Sequence, residues 1–267
     1  MQTAQTIIKH YRRKRVIVCV TVAILTLILT LGARFISQRN VNQQRVLDFS
    51  SHTVRSLDNL LLSLEKRRSV FQQLVGQPCP QAHLALRKQA AILQTVRSIA
   101  LIKDGILYCS SVFGSRNIPI RDFLPELPAS TPKLILSTDR WLMKGSPILI
   151  QWNPVSQDGE DGVIEIINID LITRMILEPE RPLIDDVALS VGDRFLRYGQ
   201  RVTDSLTFGK TGALVQLSSP HNPFSIIVSG PGPGELALKT LPAQLPLGLM
   251  LSLLLGYLAW LATANRM

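Results

Sequence analysis

The sequence predicts an α+β protein in which two transmembrane helices flank one external domain. That domain opens on a long N-terminal helix and continues into a mainly antiparallel sheet. Three observations predict it. Two uncharged apolar stretches, 16–33 and 247–262, lie near the two ends of the 267-residue chain. An amphipathic stretch with three- and four-residue spacing follows the first of them. Beyond it, short apolar runs alternate with Gly, Pro and Asp clusters, the pattern of short strands and turns. Hydrophobic residues make up 46% of the chain and charged residues 18%, which suits two spans around one domain of about 200 residues.

The formal charge is +10, but it is dense only at 9–15, "KHYRRKR". A basic run can bind nucleic acid. Here an uncharged apolar segment follows at once, so the run reads as a topology signal and nucleic acid is not an expected partner. The segment "VIVCVTVAILTLILTLGA" covers roughly 27 Å as a helix, close to the hydrocarbon thickness. A cleaved signal peptide has a shorter apolar core and a small-x-small site, and Arg34 directly after this stretch is a poor fit to one. Lys9, Arg12, Arg13, Lys14 and Arg15 precede the span, against Arg34, Arg39 and Arg45 beyond it, which predicts an uncleaved anchor with its N-terminus inside.

The long helix follows. Val46, Phe49, Val54, Leu57, Leu60, Leu61, Leu64, Phe71, Leu74 and Val75 recur at helical spacing, and Gly76 and Pro78 are its expected end. A second, shorter helix is expected over 81–96. The period then changes. "RSIALIKDGILYCSSVFG" holds two apolar runs split by Asp104-Gly105, a hairpin signal. "KLILST", "PILIQWNP", "GVIEIINI", "DVALSV", "RFLRYG", "ALVQLSS" and "FSIIVSG" are further strands, separated by "VSQDGEDG" and "SPHNP". Helices first and antiparallel strands after make an α+β domain, with a PAS-like or PDC-like sensor sheet as the specific expectation. The closing stretch 247–262 is apolar on every face, with Pro246 expected in its first helical turn and Tyr257, Trp260 and Arg266 at the far interface. A buried C-terminal helix is the alternative; an all-round apolar surface favours a span. The expected division is 1–15 cytoplasmic, 16–36 first transmembrane helix, 37–240 periplasmic domain, 241–263 second transmembrane helix and 264–267 cytoplasmic.

Cys19 lies inside the first span and reads as an apolar filler. Cys79 and Cys109 lie alone on the oxidising side, where two cysteines are expected to pair. Closing that loop would contribute roughly 3–4 kcal/mol. Two buried free thiols, a metal site and a catalytic thiol stay open beside that reading. His10, His52, His83 and His221 show no ligand spacing, and nothing identifies a base for a nucleophile. Ser110 and Ser111 would cap or hydrogen-bond at a strand end.

With these residues in place, "YCSSVFG", 108–114, resembles the signature of the CSS-motif periplasmic sensor domain. That domain is found at the N-terminus of bacterial cyclic di-GMP phosphodiesterases of the EAL type. The resemblance covers nearly the whole chain: a basic N-terminus, a span, a long helix, an upstream lone cysteine, "VRSIALIKDG" just before "YCSS", and a closing span. It implies motif residues Cys109, Ser110 and Ser111, and a disulfide between Cys109 and Cys79. It further implies a restrained oxidised state, release of a cytoplasmic phosphodiesterase on reduction, and tuning by periplasmic proteolysis. The expected function is a redox-responsive sensor module regulating cyclic di-GMP phosphodiesterase signalling from the bacterial inner membrane. Expected partners are periplasmic thiol-oxidising and reducing proteins, proteases, membrane lipid and a separate EAL phosphodiesterase; the long helix suits a homodimer. The rival readings are a ligand-binding receptor module with a purely structural disulfide, its ligand on the concave face of the sheet, and a membrane interaction partner without sensing.

Family members carry an EAL domain after the second span. This sequence ends at Met267 without a Glu-Ala-Leu motif, "GELALK" at 234–239 not being one. No catalytic residue, cofactor or metal is therefore expected, and the chain reads as a stand-alone sensor or the sensor half of a truncated gene. Other motifs fall away. "FGKT", 208–211, lacks the phosphate-loop glycine, since Asp204 stands there. "GPGPG", 230–234, reads as a stiff linker. Arg194, Arg197 and Arg201 read as a solvated strand face, and the adjacent Asp185 and Asp186 point to opposite faces of a strand rather than forming a catalytic pair.

Overall fold

The computed structural model of the protein describes residues 2–93, 95–139, 145–208 and 213–264. Residues 209–211 of "FGKT" and the interfacial Arg266 lie outside them. The chain forms two compact units, Met1–Arg45 with Pro231–Met267, and Val46–Gly230. Helix α1 (Gln2–Glu65) contributes to both.

In the first unit α1 is joined by α6 (Pro233–Ala264). Arg12–Glu65 and Pro233–Thr263 are each long and apolar enough to cross a membrane. Ile24, Leu25, Ile28, Leu29, Met250 and Leu253 all stand more than half exposed, an apolar surface suited to lipid. The two helices approach closely at Gly256, where a Cβ would lie 3.2 Å from that of Ala23. Arg15 donates from Nη2 to the Trp260 carbonyl at 3.0 Å and stacks on its ring at 5.0 Å. Pro246 does not occupy the first turn. The helix starts earlier, at Pro233, which takes that place itself, so Pro242 and Pro246 fall inside it.

In the second unit α1 buries Val54, Leu57, Leu61 and Leu64, a stripe at helical spacing. The helix ends at Glu65 rather than running on to Gly76. The Arg67 amide bonds the Leu64 carbonyl, tightening the last turn, and a short helix α2 (Arg68–Gln72) then carries Phe71 into the core. Helix α3 spans Cys79–Ile92. It begins before the expected Gln81 because Pro80 is pre-set for a first helical turn, and it ends early because Val96 is needed by the sheet.

The strands form two antiparallel sheets where the sequence suggested one. The first holds β1 (Val96–Lys103), β2 (Ile106–Ser110), β3 (Gly114–Pro119), β4 (Lys133–Thr138), β5 (Pro147–Pro154) and β6 (Gly162–Ile167), in the order β3-β2-β1-β6-β5-β4. The second holds β7 (Asp186–Val191), β8 (Arg194–Arg197), β9 (Ala213–Ser218) and β10 (Ser225–Gly230), in the order β8-β7-β10-β9. Asp104 and Gly105 turn the β1–β2 hairpin with φ of 51° and 70°, the left-handed pair that an Asp-Gly hairpin turn needs. Three short elements carry no clear sequence signal, one of them the single-turn helix α4 (Ile120–Phe123). β3 is a polar edge strand, and α5 (Ile169–Ile176) is too short for its period to separate from the strand before it.

One face of the six-stranded sheet packs Ala100, Ile102, Ile148, Ile150, Trp152 and Ile164 against Ile120 of α4 (Ile120–Phe123), Leu124 and Leu127. Alternation turns Ile99, Leu101, Gln151, Asn153 and Glu165 to the other face, which α2 and α3 cover.

Candidate functional site

The site is built on β2. Leu107 pairs with Ile102 of β1, whereas Cys109 pairs with Leu101, so Tyr108 is an extra residue in the ladder. This bulge breaks the strict alternation and lets consecutive β2 residues engage the same neighbouring segment.

That segment runs from Leu74 to His83. The Tyr108 hydroxyl accepts from the Gly76 amide at 2.9 Å and donates to the Leu74 carbonyl at 3.2 Å. Gly76 sits at φ +86°, a conformation that L side chains rarely adopt. Burial pushes the Tyr108 pKa up, with the Gly76 amide acting the other way. Next, Cys109 forms a disulfide with Cys79, with sulfurs 2.11 Å and Cα atoms 5.3 Å apart. Cys79 is the first residue of α3 rather than part of the preceding turn. Cys109 is 0% exposed and Cys79 8%. His83, one turn further along α3, then donates from Nδ1 to the Ser110 carbonyl at 2.9 Å, a carbonyl being able only to accept.

The two serines close the strand. Ser110 Oγ accepts from the Val112 amide at 3.3 Å. The Ser111 amide donates to the Ile99 carbonyl at 2.8 Å, and its Oγ accepts from the Ile99 amide at 3.0 Å. A serine side chain thus supplies the acceptor that a further ladder residue would have given, where β2 leaves the sheet. Both serines are buried. The sequence assigns no role to Tyr108, and shows His83 only as one of four histidines without ligand spacing. The signal for His83 was its i+4 spacing from Cys79, hidden while the helix was expected to start at Gln81.

On the opposite face Ser110 lines a cavity of about 40 Å³ with Ala100, Leu107, Phe113, Ile164 and Ile166. Metabolite pockets run to roughly 300–1,000 Å³, so this one takes water-sized occupants. Among the described residues no three of His, Cys, Asp and Glu gather in a metal-binding group. Arg194 and Arg197 are not a simple solvated face. Arg194 donates to the Leu136 carbonyl at 3.1 Å, while Arg197 pairs with Asp186 at 3.3 Å and stacks on Phe208 at 5.0 Å.

A family model described as the CSS motif domain associated with EAL matches residues 42–240. The chain is similar to a probable cyclic di-GMP phosphodiesterase, PdeD, of Escherichia coli (strain K12), with 56% identity over 267 residues, covering 100% of this chain and 50% of that protein. It is 24% identical over 195 residues to PdeN, another probable cyclic di-GMP phosphodiesterase of that strain, covering 70% of this chain and 36% of that one. The chain therefore spans half the length, or less, of these relatives. Among solved structures, the ligand-binding domain of the Pseudomonas aeruginosa PAO1 chemoreceptor PctB matches with a TM-score of 0.49 and 15% identity, over 74% of this chain and 90% of that one. The periplasmic domain of RsbU from Chlamydia trachomatis matches with a TM-score of 0.47 and 12% identity, over 77% and 97%.

Proposed function

The chain belongs to the family of CSS-motif domains associated with EAL, and on that premise we propose that it is a redox-responsive periplasmic sensor module governing cyclic di-GMP phosphodiesterase output. The observation that carries the reading is the buried Cys79–Cys109 disulfide, which ties the start of α3 to β2 within the family-matched residues. In this reading the helices Arg12–Glu65 and Pro233–Thr263 hold the module in the bacterial inner membrane, with residues 37–240 in the periplasm. The output falls on an EAL phosphodiesterase, in the same chain or in a partner.

The redox step follows from exposure. A dithiol reductant attacks the sulfur of Cys79, the more exposed residue of the two. The S–S bond breaks, Cys109 leaves as a thiolate and takes up a proton, and a mixed disulfide remains on Cys79. The second thiol of the reductant then displaces Cys79 and closes the reductant's own disulfide, so two electrons pass to the cysteine pair. The α3 start loses its covalent tie, while the Tyr108 and His83 contacts remain. Reduction therefore loosens one helix end rather than unfolding the domain.

The test is limited proteolysis of the membrane-embedded chain with and without a periplasmic-type dithiol. The expected result is a new cleavage site near 74–83 on reduction, reproduced without reductant in Cys79→Ser and Cys109→Ser. Serine variants that cleave like the oxidised wild type would discard the redox reading.

A further inference from the structure

Glu165 is the single charged residue in β6, GVIEII, and it is 1% exposed. Neither of its carboxylate oxygens has a hydrogen-bond partner among the described residues. Across the ladders it faces Ile99 of β1 and Gln151 of β5. Asn153, two residues beyond Gln151, shares that face. The amide oxygens of Gln151 and Asn153 are also buried without a donor among the described residues.

Helix α2 contacts β6 on this face and carries Arg68. Arg68 acts electrostatically on Glu165. Its Nη2 is 3.2 Å from Glu65, the last residue of α1, while its Nε is buried and without a partner among the described residues. The strand residues that share this face with Glu165, Ile99 from β1 and Gln151 and Asn153 from β5, do not titrate. The buried residues of α3 are Cys79, in the disulfide, Ala82 and Leu86. Arg68 is thus paired with the exposed Glu65 carboxylate, while its Nε stays buried and without a partner among the described residues. Burial disfavours the charged form of a carboxyl group and pushes Glu165 up to about 8, with Arg68 opposing.

We propose that Glu65, Arg68 and Glu165 form a proton-operated partner exchange at the junction of α1 and α2. While Glu165 is neutral, Arg68 holds Glu65. When Glu165 releases its proton to solvent, the guanidinium turns inward, offers Nε with an Nη as a two-donor edge to the new carboxylate, and lets go of the end of α1. Arg68 keeps its charge throughout and no electron moves. The exchange acts on α1, the helix that contributes to both compact units.

The experiment uses the full chain in lipid nanodiscs with the disulfide intact, so its outcome is independent of the redox reading. Hydrogen–deuterium exchange of the 65–72 peptide, corrected for intrinsic amide rates, is followed from about pH 5 to pH 9. The wild type is expected to show a step with its midpoint near 8. Glu165→Gln, close in shape to the neutral acid, is expected to show none. Glu65→Gln removes the rival partner and should move the midpoint down by about one pH unit, a tenfold change in proton affinity. No step in the wild type, or a midpoint unmoved in Glu65→Gln, overturns the proposal. Glu65 is 50% exposed, so that variant keeps the test decisive even if Glu165→Gln does not fold.

Discussion

His83 Nδ1 lies 2.9 Å from the Ser110 carbonyl, one helical turn after Cys79 and one residue after Cys109. The covalent tie and the hydrogen bond therefore hold the same two elements side by side, α3 to β2. Groups that restrain one helix in this way should couple energetically. The expected outcome is that His83→Ala costs about 1 kcal/mol with the disulfide present and frees α3 more strongly once it is reduced. A double-mutant cycle of His83→Ala with Cys79→Ser, read by urea unfolding, checks it; strictly additive losses would refute the shared role.

Ser111 gives the second prediction. Its Oγ is the acceptor for the buried Ile99 amide. Ser111→Ala leaves that amide unsatisfied at a cost of about 1–3 kcal/mol. Ser110→Ala should cost less, because among the described residues its Oγ serves the part-buried Val112 amide at the longer distance of 3.3 Å. Urea midpoints of the two variants give the comparison, and equal losses would contradict the assignment.

The disulfide sets the third. Its ends are separated by 30 residues, so reduction should lower stability by roughly 3–4 kcal/mol in the chain-entropy account. After brief reduction, Cys79 at 8% exposure should be alkylated before Cys109 at 0%. Mass mapping of singly alkylated protein reads the order, and preferential labelling of Cys109 would reverse the proposed direction of attack.

Glu165 sets the fourth. Its pKa is raised in the folded chain, from 4.5 to about 8, so the folded state holds the proton more tightly than the unfolded state does. The stabilising contribution is complete below 4.5 and is lost as pH rises through about 8. Across that window stability should fall by up to about 1.4 kcal/mol per pH unit from this group. Glu165→Gln should flatten the slope in chemical denaturation across the same window. A variant with the wild-type slope would assign the pH dependence elsewhere.

The outline of the protein follows from local pattern. The apolar stretch 16–33, the α1 stripe at Val54, Leu57, Leu61 and Leu64, and the Asp104-Gly105 turn each depend on residues close in sequence. Hydrophobic period reports which face of an element is apolar, and Asp-Gly reports a backbone that tolerates positive φ. The candidate site was partly visible too, as two cysteines and two serines.

Tertiary structure decided the rest, because partner and register depend on distant chain. β1 pairs with β6 as well as with β2, and nothing local says that β7 opens a second sheet instead of extending the first. The bulge at Tyr108 exists only relative to β1, yet it aims Tyr108 and Cys109 at one segment. In sequence Glu165 is one residue of the expected strand "GVIEIINI", with no sign of its surroundings. Tertiary packing leaves it 1% exposed and without a hydrogen bond among the described residues, while Arg68 of α2 pairs with Glu65.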